Sequence, residues 1–268
     1  MRKIALMLLL TIPLFSCEKQ RQLPVENNDI PLLSKVLYDG VVSYEYTYND
    51  ANLLNEEKSK FHYTKHNYDE NNLLTSSDFY WDPGIFSSSS IVADASMNRK
   101  EWVNPGNTAK SLTQTFEYEQ SEQLARKTFT RTSSSNSEYA EFTYAEGRIT
   151  RQTLFWQGVI SSYIDYDYDD RGNLVKETRY GFLSDGVVEL RTTTEYEFDN
   201  RHNPYLAFRR LMSPGICTNA NNITRQTYTI HLEVDDYIEK VQVSSNTYEY
   251  NNSGYPKKVN GNIEYVYK

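Results

Sequence analysis

Along most of this chain aromatic and polar side chains alternate one for one, and the alternation stops at short clusters of Asp, Asn and Gly. It is cleanest at Ile164-Asp165-Tyr166-Asp167-Tyr168-Asp169-Asp170-Arg171-Gly172-Asn173-Leu174-Val175. A period of two is that of a β-strand, whose successive side chains point to opposite faces. Tyr166 and Tyr168 therefore share one face, and Asp165, Asp167 and Asp169 the other. Asp169 through Asn173 reads as a turn, with Gly172 free to take a positive φ, and Leu174 begins the returning strand. The segment predicts a β-hairpin with one aromatic and one acidic face.

The same unit recurs. Tyr46-Thr47-Tyr48 leads through Asn49 to Leu53-Leu54, and Tyr68-Asp69 leads to Leu73-Leu74. Phe116-Glu117-Tyr118 leads to Leu124, and Phe142-Thr143-Tyr144 turns through Glu146-Gly147 to Ile149. Tyr196-Glu197-Phe198-Asp199 turns through Arg201 to Pro204, and Tyr248-Glu249-Tyr250-Asn251 turns into Tyr255-Pro256. The two widest intervals, Tyr68 to Tyr118 and Phe198 to Tyr250, have room for a degenerate unit each; residues 231–238 resemble one. Repetition on this scale means stacked copies of one supersecondary unit.

No window carries a helical stripe, and Tyr, Thr, Val and Phe dominate the periodic segments. The expected fold is all-β: roughly 14 to 18 strands in a curved antiparallel meander of repeated hairpins, open or barrel-like. Residues 82–107 and 209–222, rich in Ser, Asn, Pro and Gly, break the rhythm and read as longer loops.

The N-terminus speaks to location. Arg2 and Lys3, the apolar run that follows and Ser16-Cys17 form a secretory signal over residues 1–16. Its end, Leu14-Phe15-Ser16-Cys17, resembles the bacterial lipoprotein signal, in which the Cys becomes the lipid-bearing first residue; Phe15 is bulkier than that pattern's usual residue. Cys17 is thus the expected lipid-attachment site and membrane link, residues 17–34 a tether containing Pro24 and Pro31, and residues 35–268 the β domain. The unit Tyr166-x-Tyr168-Asp169-x-x-Gly172-Asn173-Leu174 resembles the YD repeat of Rhs and teneurin-type proteins, which winds strands into large shells. Signal, tether and diverged repeats together resemble small YD-repeat-like lipoproteins of Bacteroidota. The resemblance implies the strand fold; toxin delivery, the role of Rhs shells, is not implied for a chain of this size.

Net charge is −8 and falls further once Arg2 and Lys3 are removed, which argues against nucleic acid as a partner. With Cys17 acylated, Cys217 has no disulfide partner, and no His or basic residue near it in sequence would activate its thiol. His62 and His66 share a strand face but stand about 13 Å apart, too far to chelate one ion, and read as solvated or capping. The periodic carboxylates read as an outer face. No Walker loop, dinucleotide fingerprint, CxxC pair or nucleophile elbow occurs. No catalytic residue, metal site or cofactor is therefore expected.

What remains is aromatic: 23 Tyr, 11 Phe and 3 Trp. The paired aromatics of the repeats read as core. Trp81, Trp102 and Trp156 stand outside the Tyr-x-Tyr register and are the candidate ligand-binding residues. The expected protein is a lipid-anchored, non-enzymatic β-repeat module of the bacterial cell envelope, structural or binding, with a glycan or an envelope protein as candidate partners. Two alternatives stay open: a carbohydrate-binding or processing lipoprotein, and an outer-membrane β-barrel.

Overall fold

A computed structural model describes residues 30–81, 102–183, 186–211, 214–232 and 240–268. The stretch read as a signal peptide, Cys17, most of the stretch read as a tether, residues 82–101 and most of the unit suspected at 231–238 lie outside these. The described residues form one 17-stranded antiparallel sheet. The strands are β1 Leu33–Tyr38, β2 Val41–Tyr48, β3 Leu54–Ser59, β4 His62–Tyr68, β5 Leu74–Trp81 and β6 Lys110–Tyr118. They continue as β7 Leu124–Arg131, β8 Glu138–Ala145, β9 Arg148–Trp156, β10 Val159–Tyr168, β11 Leu174–Phe182 and β12 Val188–Phe198. A 3₁₀ helix, Pro204–Leu211, precedes β13 Ile223–Ile230, β14 Val241–Ser245, β15 Tyr248–Tyr250, β16 Pro256–Val259 and β17 Ile263–Tyr267.

Pairing follows chain order from β1 to β14, and β17 turns back onto β1. The ladder is not closed, because no rung joins β14 to β15. These are consecutive runs of one extended segment that changes partners. Asn246 N donates to Thr224 O on the β13 side, and Asn260 N donates to Thr247 O on the side of β16. In both wide intervals the described flanking strands pair directly, β5 with β6, β12 with β13 and β13 with β14.

Each predicted hairpin is present, and one more is split between the chain ends. Tyr168 stands opposite Leu174, Tyr68 opposite Leu74 and Tyr118 opposite Leu124; Tyr267 stands opposite Leu33 in the same way. The turn carries its own signature. Asp169 N donates to Asn173 O, while Asp169 Oδ1 accepts from the amides of Arg171 and Asn173. Asn49, Asp69 and Asn251 bind their turns identically. This side-chain staple is what the Asp of the motif supplies. Where Gly172 takes φ +92°, Asn52, Asn72 and Glu122 occupy the left-handed region at φ 58–63°, so the turn survives without glycine. In the sixth unit the return is at Asn222-Ile223 and not Pro204: Asp199 accepts from the amides of Arg201 and Asn222 across a long insertion. β1 begins two residues inside the stretch read as tether, because Leu33 fills the wholly buried return-leucine position.

A tyrosine latch joins neighbouring hairpins. Tyr68 Oη donates to Leu54 O, the first residue of the previous unit's return strand. Tyr118 reaches Leu74, Tyr144 reaches Leu124, Tyr168 reaches Ile149 and Tyr248 reaches Ile223. Tyr267 reaches Pro256 and Tyr48 reaches Leu33, all seven at 2.6–3.1 Å. Phe198 has no hydroxyl and makes no such bond. From this joint the chain leaves the sheet as the 3₁₀ helix, whose Phe208 packs with Leu33, Val36, Tyr46 and Leu54 across the interior. The stretch read as a loop over 209–222 is thus the second half of an internal plug, whose buried Asn203 and Asn219 bond backbone and Leu174 N.

The opposite face is not acidic alone. Arg151 is register partner and ion pair of Asp165, as are Arg126 of Glu141, Arg225 of Glu197 and Lys35 of Glu45, with N–O distances of 2.5–3.0 Å. These four carboxylates meet cations that come from the paired strand, which reading one strand alone does not reveal.

Candidate binding cavity

Most of the inward face is filled by the tyrosine and leucine core, but from β3 to β7 the filling changes. Register partners carry one inward row across these strands: Glu57–Thr64–Phe79 at one level and His66–Ser77–Gln114 at the next. Phe116 stands opposite Lys127 beside them. Short and polar side chains here leave a cavity of about 380 Å³, within the usual range for small-molecule sites. Leu74 and Leu211 of the 3₁₀ helix line it, as do His62 and Trp81, the last rung of β4 and β5.

Its polar groups are unevenly satisfied. His62 Nε2 lies 2.6 Å from Glu57 Oε1, and Ser59 Oγ stands 3.3 Å from His62 Nδ1. His66 is 5% exposed; its Nδ1 meets Ser77 Oγ at 2.8 Å, while its Nε2 has no protein partner. Burial holds the His66 imidazole down at about 4 against an ordinary 6.5, so it is neutral at pH 7. Burial also lowers the Lys127 ammonium, which faces aromatic rings rather than a carboxylate: Nζ lies 5.4 Å from the Phe129 centroid and 5.9 Å from that of Phe142. Trp81 tilts at 50° on Phe79, 6.0 Å between centroids. A neutral imidazole, an ammonium without a counter-ion, an amide and an indole around one space can hold a polar ring compound.

Of the three candidate tryptophans, only Trp81 lines this cavity. Trp156 ends β9 at the Gln157-Gly158 hairpin tip and is 42% exposed, while Trp102 precedes Val103, whose amide donates to Ser59 O. Neither is among the residues that line this cavity. Cys217 packs against the core cluster around Phe208, and burial raises its thiol to about 12, the opposite of an activated nucleophile. His62 and His66 do share the inward face with Thr64 and Tyr68, but His66 is buried rather than solvated or capping. Among the described residues no group of His, Cys, Asp and Glu is arranged to hold a metal. Reading the sequence for tryptophans misses Glu57, His66, Gln114 and Lys127. The signal was there: polar residues at inward positions of strands whose neighbours put Tyr or Leu in that register.

No protein family and no curated protein matches the chain by sequence. Among solved structures it is similar to a porin-like protein from Bacteroides uniformis, at 12% identity and a TM-score of 0.41, covering 88% of this chain and 98% of that one. A porin-like protein from Bacteroides vulgatus gives 11% and 0.39, covering 89% and 99%. A chain of the TcdB2-TccC3-Cdc42 structure gives 14% and 0.28, covering 78% of this chain and 10% of that one.

Proposed function

We propose that this protein is a lipid-anchored, non-enzymatic binding module of the bacterial cell envelope, which takes a small carbohydrate into the cavity between β3 and β7. The observation that carries the reading is His66: a buried imidazole whose Nε2 has no protein partner, in a cavity also lined by Trp81. A buried polar atom without a partner costs stability, and a ligand atom that completes the bond removes that cost. An indole beside amide, imidazole and hydroxyl groups suits a sugar ring. A binding role fits better than hydrolysis, since the cavity's carboxylate, Glu57, is engaged by His62, whereas glycosidases use two carboxylates across the bond. The ion-paired outer face fits an aqueous surrounding better than the apolar band of a lipid-embedded barrel.

The test has two arms. Wild-type protein should fractionate with membranes and Cys17→Ser should not. The chain from residue 18 onward, applied to a glycan array, should retain a subset of glycans, lose them on Trp81→Ala and keep them on Trp156→Ala. Binding that follows Trp156 instead, or an array that retains nothing, sinks the cavity reading.

A further inference from the structure

We infer that the cavity selects an acidic sugar, recognising the carboxylate through Lys127 and the hydroxyls through His66, Gln114 and Glu57. This rests on the carbohydrate reading above and deepens it. Lys127 lies on the inward face between its register partners Phe116 and Ala140, with the Phe129 and Phe142 rings as its neighbours. Its charged neighbours on the same strand are held differently. Arg126 and Arg131, which flank Lys127 on β7, pair with Glu141 and Glu138 at 2.6 and 3.0 Å. A half-buried ammonium that faces rings instead of an anion is a cost to the fold that a hydrophobic residue of the same length would not impose. The cavity also holds a second incomplete group, the Nε2 of His66, sealed from solvent by its own burial. Two polar groups lining one cavity, without a counter-charge or hydrogen-bond partner among the described residues, are accounted for together if the space is completed by a ligand that brings an anion and a hydroxyl. Glu57 does not repel such a ligand in the way a free carboxylate would, because His62 holds one of its oxygens at 2.6 Å. The volume of about 380 Å³ suits a single uronic acid residue or a chain end, with Trp81 and Phe116 as walls.

Calorimetric titration of the chain from residue 18 onward with D-galacturonate, D-galactose and acetate separates the contributions. Galacturonate should bind about tenfold or more tightly than galactose, the difference a charge-assisted hydrogen bond makes. It should also outbind acetate, which lacks the hydroxyls. Lys127→Met should abolish the preference for the acid while raising the melting temperature; Lys127→Gln serves as a second variant with a polar end. Equal binding of galacturonate and galactose, or a preference that survives both Lys127 variants, overturns the acidic-sugar inference and leaves the cavity reading standing. Acetate binding as tightly as galacturonate also overturns it. Failure of every sugar, acidic and neutral, overturns both.

Discussion

Tyr267, the penultimate residue of the chain, stands opposite Leu33 in the register that Tyr168 holds opposite Leu174. The bond that starts every turn follows: Lys268 N donates to Leu32 O at 2.9 Å, as Asp169 N donates to Asn173 O. β17 and β1 therefore pair as the two strands of a hairpin do, although they are far apart in the sequence.

Deleting residues 263–268 should consequently unfold the protein cooperatively rather than fray one edge, since it removes the partner of β1 and β16 and the Tyr267 latch. A circular permutant that links Lys268 to Leu32 through a copy of the Asn49 turn, with new ends between Gln157 and Gly158, should fold with native circular dichroism. A random-coil spectrum for the permutant would show that the split hairpin is not equivalent to the others.

The tyrosine latch separates into hydroxyl and ring. Tyr168→Phe removes only the bond to Ile149 O and should cost about 1 kcal/mol in urea unfolding. Tyr168→Ala removes a ring packed on the Ile149, Ile164, Tyr166 and Leu174 cluster and should cost about 3–5 kcal/mol. Equal losses for the two variants would assign the whole effect to the hydroxyl.

His66 makes stability fall with acid. The unfolded imidazole takes its proton near 6.5 and the buried one only near 4, so in between the unfolded state binds more protons. Stability contributed by the neutral ring is complete above pH 6.5, declines as pH drops toward 4 and levels off below, a loss of about 3 kcal/mol. In His66→Gln the part of the decline between pH 6.5 and 4 should be absent from the unfolding midpoints.

Cys217 should be inert in the native state. With its thiol raised to about 12, the thiolate fraction at pH 8 is about a thousandfold below that of a free cysteine. Iodoacetamide should label it only as fast as the protein unfolds; rapid native labelling would mean the thiol is not buried against the Phe208 cluster.

Strand alternation and turn chemistry were legible because they are local: Tyr166, Tyr168 and Asp169 state the hairpin within a dozen residues. The eighth hairpin was hidden because Tyr265-Val266-Tyr267 finds its Leu33 at the other end of the chain. The plug was hidden because Pro204 and the Asn-rich stretch after it look like surface turn residues, and only burial of Phe208, Asn203 and Asn219 shows otherwise. Trp81 stands out by residue type, but its neighbours in the cavity come from five strands, and their meeting depends on register that no short window contains. His66 was underrated for the same reason, since a histidine four residues from another carries no sign of what stands across the sheet.

The grip on β1 has a mechanical consequence. This strand is hydrogen-bonded along both edges, to β17 and to β2, and residues 30–32 lead into it. A pull on that segment loads both sets of rungs in shear and all at once, instead of peeling them one after another. Tension applied at that point is thus spread between β2 and β17. The hairpin tips at the other end, Gln157-Gly158 among them, stay out of the line of force.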